Sequence, residues 1–258
     1  MERPPEDQIA GFRSEIGAVA GEGGDSFFTW FNDADDVEDS FRQGAWEFST
    51  HVAPHFADVL PTGRPGTVVE IGYGGGRLLA AAAQHFEHAI GVDVHANGDV
   101  VRDELQRRGI GNCSLHETDG ASLPLDAGSV DAVFTFIVMQ HIGRIALFDA
   151  YLREAARVLR PGGAAVVYFG RWGRVSTRRS AAWRYAVDRC IERVVLWRGY
   201  RERASRTNAT NLLIRPGEAR RRASATGFDV LGLLVSRRRR DAGPTTYGGQ
   251  HGLVLRRR

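Results

Sequence analysis

From residue 67 onward the apolar positions come in short dense runs separated by longer amphipathic stretches, the pattern of a chain alternating between strands and helices. Thr67–Ile71 is a β-branched run, apolar on both faces as a strand inside a parallel sheet must be. Leu78–Phe86 is alanine-rich and helical, Ala89–Val92 reads as a second strand, and Val100–Arg108 as a helix closed by Gly109. Ser114–Glu117 and Val130–Phe136 are the third and fourth strands. Ile145, Phe148, Leu152, Ala155 and Leu159 then share one helical stripe. Pro161-Gly162-Gly163 stops that helix and opens a fifth strand, Ala164–Phe169. Five strands with helices between them predict a doubly wound parallel sheet.

The flanks have a different texture. Residues 1 to about 60 read as helical, with Phe41, Ala45, Phe48, Val52 and Phe56 at three- and four-residue steps, and Pro61, Gly63, Pro65 and Gly66 mark a break. Arg178–Arg203 reads as an amphipathic helix with Trp183, Val187, Cys190, Ile191 and Val194 on one face and arginines on the other. Pro216–Gly227 gives a further helix, and Val230–Val235 and Gly252–Leu255 two last strands. Arg237–Arg240 is a solvated loop on this reading.

Composition narrows the class. With 43% hydrophobic and 25% charged residues in 258, the chain is an ordinary globular one and not a disordered one. No apolar run approaches the ~18 residues that cross a bilayer, and the acidic N-terminus lacks the character of a signal peptide. Cys113 and Cys190 stand far apart, which excludes a disulfide scaffold or a cysteine zinc knuckle and points to a reducing, cytoplasmic setting. The net charge of +3 conceals an asymmetry: residues 1–170 carry 12 Arg against 25 acids, residues 171–258 carry 22 Arg against 6. There is no lysine. A basic third can serve a nucleic acid or an anionic surface, although arginine-only usage is as readily a codon bias.

The most informative residues are Val68-Val69-Glu70-Ile71-Gly72-Tyr73-Gly74-Gly75-Gly76-Arg77. A strand running through clustered glycines into a helix brings bare backbone N–H groups to a ligand at the positive end of a helix dipole. A dinucleotide loop would want glycine where Arg77 stands. Glu70, two residues before the first glycine, would repel a pyrophosphate and attract an ammonium or sulfonium.

This loop resembles motif I of the class I S-adenosylmethionine-dependent methyltransferases, and the resemblance continues in order downstream over about residues 66–170. Asp93, in Gly91-Val92-Asp93-Val94, matches the acid that holds the ribose hydroxyls in that family. Asp119-Gly120, followed by Leu123-Pro124, matches the adenine-reading segment. Ser129–Phe134 looks like the fourth-strand motif, and Arg157–Gly163 like the turn before strand five. The resemblance implies a Rossmann-like, doubly wound, seven-stranded α/β sheet with the last strand antiparallel. A helical cap (1–60) would precede a methyltransferase domain (61–258) that contains a helical lid insertion at about 171–213. It implies S-adenosyl-L-methionine as cofactor, bound by Glu70, Gly72, Tyr73, Gly74, Gly76, Asp93, Val94, Asp119, Gly120 and Phe136.

The acceptor is less defined. A hydroxyl acceptor calls for a base, and His141 after the fourth strand and His251 entering the last strand are the candidates. His51 and His55, four apart, have no third zinc ligand at hand. The acidic run Asp33–Asp39 could hold Mg²⁺ but carries no recognisable metal motif. No Asn/Asp-Pro-Pro-aromatic tetrad or Pro-Cys pair follows the fourth strand, which lowers the case for a nucleic-acid enzyme. The chain therefore looks similar to the small-molecule branch, with overall texture like the actinobacterial sugar O-methyltransferases: O-methylation of a small-molecule or carbohydrate hydroxyl. Quinones, polyketides or lipids are the alternative acceptors, and the Arg-rich third keeps an RNA methyltransferase as a rival. A non-catalytic partner and a nicotinamide enzyme are further alternatives. A homodimer is compatible with all of these.

Overall fold

The computed structural model describes residues 5–60, 66–177, 181–203, 209–239 and 245–258, with the side chains of residues 5–8 and 22 left aside. The break at 61–65, Arg240, and two short stretches of the 171–213 segment fall outside these. The described elements are, in order, α1 (Pro5–Glu22), α2 (Ser26–Trp30), α3 (Val37–His51), α4 (Ala53–Ala57), β1 (Thr67–Ile71), α5 (Arg77–His85), β2 (His88–Asp93), α6 (Gly98–Arg107) and β3 (Cys113–Glu117). There follow β4 (Val130–Thr135), α7 (Ile145–Val158), β5 (Leu159–Gly170), α8 (Ala182–Val195), β6 (Tyr200–Glu202), β7 (Leu212–Ile214), α9 (Pro216–Ala225), β8 (Phe228–Arg238) and β9 (Thr246–Arg257).

Strands β3-β2-β1-β4-β5 pair in parallel in that order. Antiparallel β9 continues the sheet along Ala164–Gly170, and β8 pairs with β9 at the edge. The sheet has nine strands among the described residues, two more than expected, because a short antiparallel β6–β7 hairpin forms within and just after the segment anticipated as helical. It meets the sheet at Gly170↔Leu213, beyond the end of β4.

Alternation along the strands builds a core on each side. Val68, Ala132, Phe134, Val166 and Tyr168 face α3 and α5, whereas Val69, Val133, Val167 and Phe169 face α7 and α9. Pro161-Gly162-Gly163 does not open β5 but interrupts it. Val130 pairs with Leu159 and Ala132 with Ala164, so residues 160–163 loop out.

The acidic run at the start of α3 is spent on capping and pairing. The Asp36 side chain accepts from Asp39 N at the α3 N-terminus, Asp39 pairs with Arg42, and Glu38 with Arg108. His51 ends α3 buried. Its Nδ1 bonds the Glu47 carbonyl and its Nε2 accepts from Arg237 N at 2.8 Å, and burial lowers its pKa to about 4. No zinc ligand role is left to it.

The largest departure is α8. It spans Ala182–Val195 rather than 178–203, and it lies with its polar side inward. Asp188 and Glu192 are fully buried, while Trp183, Val187 and Val194 of the apolar stripe stand in solvent. Asp188 accepts from Arg174 N, Val175 N, Ser176 N and Ser176 Oγ and pairs with buried Arg171; Glu192 accepts from Trp172 N. These fixed donors outweigh the gain from burying the stripe.

Candidate active site

One cavity of about 1130 Å³, mouth included, opens at the carboxyl ends of β1, β2 and β4, where ligands bind in open α/β sheets. Gly72, Gly74 and Gly76 have φ of 81°, 51° and 79°, so the loop after β1 takes a path that side chains resist. A Cβ on Gly74 would also lie 2.8 Å from the Phe31 ring. The loop is braced from β2. Gly74 N donates to Asp93 Oδ2 at 2.8 Å and Val94 N to Asp93 Oδ1 at 2.6 Å. Buried His95 donates from Nε2 to the Gly74 carbonyl at 3.1 Å and accepts from Asn97 N at Nδ1.

Glu70, at the end of β1, faces the same cavity. It is 2% exposed, and its Oε2 has no hydrogen-bond partner among the described residues. Burial raises its pKa well above the usual carboxylate range, against the pull of Arg77, which itself pairs with Glu47. An orphaned buried carboxyl beside bare glycines fits a nucleoside that carries an ammonium group. Such a ligand favours the ionised form. Affinity for S-adenosylhomocysteine should therefore rise with pH between about 5 and 7, below the range in which its own α-amino group titrates. Glu70→Gln should flatten that rise and weaken binding throughout; calorimetry across this range checks it, and an equally steep rise in the variant rejects it.

Of the ten residues expected to hold the cofactor, Glu70, Gly72, Tyr73, Gly74, Asp93, Val94, Gly120 and Phe136 line the cavity. Gly76 does not; it starts α5 behind the loop. Asp119 does not either. Its Oδ1 accepts from Ala121 N, Ser122 N and Ser122 Oγ, which holds it at about 2 and turns it into its own exposed loop; Thr118 and Gly120 face the cavity instead.

The two candidate bases separate. His141 lines the cavity, but Nδ1 bonds the Ala209 carbonyl at 2.9 Å and Nε2 the Gln140 side-chain amide at 3.1 Å. Burial lowers its pKa, so it stands neutral. His251 is not brought to the cavity. It is fully buried in β9 opposite Phe169, with Nε2 3.3 Å from Glu192 Oε1 and beside Arg189, under α8. Trp183 and Trp197 face solvent and do not line the cavity, whereas Trp30 and Phe31 do.

Sequence reasoning missed the roof. Ile9, Phe12 and Ile16 of α1 line the cavity, and Arg13 fastens α1 by donating to the Val94 and Thr118 carbonyls at 2.7 and 2.9 Å. Their three- and four-residue spacing was the available signal. Ile137, next to Phe136 in the cavity wall, holds φ of 63°, rare for a β-branched residue, and its N–H donates to Gln250 Oε1. Among the described residues no group of three or more His, Cys, Asp or Glu could hold a metal ion.

Residues 69–167 match the model of a family described as "Methyltransferase domain". A tRNA (carboxymethyluridine(34)-5-O)-methyltransferase of Macaca fascicularis is 29% identical over 45% of this chain, which spans only 16% of that relative's length. A fatty-acid O-methyltransferase of Mycolicibacterium smegmatis is 32% identical over 37% of this chain and 34% of its own. The crystal structure of Burkholderia thailandensis 1,6-didemethyltoxoflavin-N1-methyltransferase, with bound S-adenosylhomocysteine, shares the fold at TM-score 0.62 and 17% identity, covering 99% of this chain and 91% of its own. With the glycine loop, Glu70 and Asp93 set around one cavity, residues 69–167 form a class I S-adenosylmethionine-dependent methyltransferase domain.

Proposed function

We propose that the chain methylates an oxygen on a small, largely apolar acceptor that arrives with that oxygen already ionised, a molecule of the lipid, polyketide or quinol kind rather than a sugar. The wall built by α1, by Phe31 after α2, by the loop after β4 and by the first turn of α7 carries this reading. A sugar takes several hydroxyls out of water, each needing a new partner. Ile9, Phe12, Ile16, Phe31, Ile142 and Leu147 offer none.

S-adenosylmethionine supplies an electrophilic methyl carbon and its own neutral leaving group. The protein's task is alignment and, for a neutral hydroxyl, proton removal. His141 is poorly placed for the latter, with its lone pair engaged by Gln140 and its other nitrogen donating to Ala209. A carboxylate needs no base near neutral pH, and an acidic phenolic or enolic hydroxyl needs little help. The fatty-acid acceptor named for the Mycolicibacterium relative supports this reading.

Transfer of labelled methyl groups to fatty acids, acidic phenols, hexoses and tRNA tests it. Carboxylates or phenols should be methylated and hexoses and tRNA left untouched; comparable turnover on a hexose, or transfer to tRNA alone, overturns it. His141→Gln should keep kcat/KM within about tenfold with an unchanged pH profile. A loss beyond about a hundredfold, the scale of a general base, would restore His141 to that role.

A further inference from the structure

The outward face of α8 is the least explained surface of the protein. Trp183, Val187, Cys190, Val194 and Trp197 follow one another at steps of four, three, four and three, so they form a single stripe from the start of the helix to just past its end. Trp183 is 61% exposed, Val194 74% and Trp197 70%. Four of the seven large hydrophobic side chains exposed among the described residues lie on this one element and its C-terminal extension. The helix is not free to roll this stripe inward, because Asp188 and Glu192 lock the opposite side to residues 172–176.

The charges on the helix are sorted in the same way. Both acids point into the protein and are fully buried. Arg193 and Arg198 are exposed and Arg184 is half-buried, and none of the three has an acidic partner among the described residues. Arg184 lies over the Trp183 ring at 4.6 Å and Arg198 over Trp197 at 4.9 Å. Each end of the stripe therefore presents an indole with a guanidinium on it, and two valines and a cysteine lie between them.

We propose that this face seats the protein on an anionic lipid surface, with α8 lying in the plane of the headgroups. A helix with tryptophan and aliphatic residues on one side and arginines flanking them enters the interface by burying the apolar stripe while the cations meet lipid phosphates. Charge selects among occupants. A second copy of this face would bring arginine against arginine with no acid to answer it. A nucleic acid would use the indoles and guanidiniums but gains little from Val187 and Val194. An acyl region accepts all of the stripe.

The test is co-sedimentation of the full chain with vesicles of phosphatidylglycerol and phosphatidylcholine mixed roughly one to three, against phosphatidylcholine alone. The protein should bind the anionic vesicles, and its tryptophan emission should shift to the blue. Trp183→Ser with Trp197→Ser should weaken binding at least about tenfold. Arg184→Gln, Arg193→Gln and Arg198→Gln together should weaken it and remove most of its salt dependence. All these side chains are at the surface away from the cavity, so affinity for S-adenosylhomocysteine should stay unchanged and report that the variants fold.

Absence of binding to anionic vesicles, or binding that both sets of variants leave intact, overturns the proposal. So does a dimer in sedimentation equilibrium that Trp197→Glu dissociates, or RNA that binds through α8 while vesicles do not. None of these outcomes bears on acceptor chemistry, so the docking surface and the methylated oxygen stand or fall separately.

Discussion

Asp93→Ala is expected to weaken S-adenosylmethionine binding by about a hundredfold or more, with a far smaller effect on stability. Each Asp93 oxygen accepts one backbone N–H, from Gly74 or from Val94, and a carboxylate oxygen has room for a second donor. The ribose hydroxyls are the donors this arrangement fits. Hydrogen bonds to a charged group contribute roughly 1.5–3 kcal/mol each. The substitution removes those and releases the loop that the same carboxylate holds in its positive-φ path. Calorimetric titration, with thermal unfolding as the control for folding, checks this; affinity equal to that of the unmodified protein would take Asp93 out of the site. Asp93→Asn keeps the shape but only one of the two acceptor oxygens, its NH2 facing a backbone donor, and should fall between the two.

The second large effect belongs to stability. Asp188 is fully buried and holds three successive backbone N–H groups, the Ser176 hydroxyl and the Arg171 guanidinium at 3.6 Å. Removing one partner of a buried ion pair costs roughly 3–5 kcal/mol because the other charge stays behind. Arg171 would be left with the neutral Gly248 and Trp172 carbonyls and the Ser176 hydroxyl. Asp188→Ala should therefore lower the urea midpoint markedly and loosen α8, and Asp188→Asn should recover part of the loss. A midpoint shift worth under about 1 kcal/mol would mean that residues 172–176 find other acceptors.

How much of this was readable beforehand depends on whether the deciding interactions are local. β1 was bounded residue for residue and β2, β3, β4, α5 and α7 within one or two, because burial on both faces of a strand, or on one stripe of a helix, leaves its mark in neighbouring residues. The glycine loop was legible for the same reason. α8 was not. Its sequence shows two faces but cannot say which one is inside; that was decided by backbone donors at 172–176 and by Arg171 at the end of β5, more than ten residues away. His251 misled similarly. The sequence places it where a loop enters the last strand, yet β9 already begins at Thr246, and register sets His251 against Phe169, beneath α8. Asp119 sits beside a cavity residue on either side, and only its own turn diverts its side chain. The β6–β7 hairpin has three residues per strand, too few to leave a periodicity.

The cavity draws its walls from three separate stretches of the chain: residues 9–31, residues 70–120 and residues 136–151. If the proposed acceptor wall is right, changes at Phe12 and Ile16 would re-tailor the product, whereas Ile9, packed on Gly120, would disturb the nucleoside half as well.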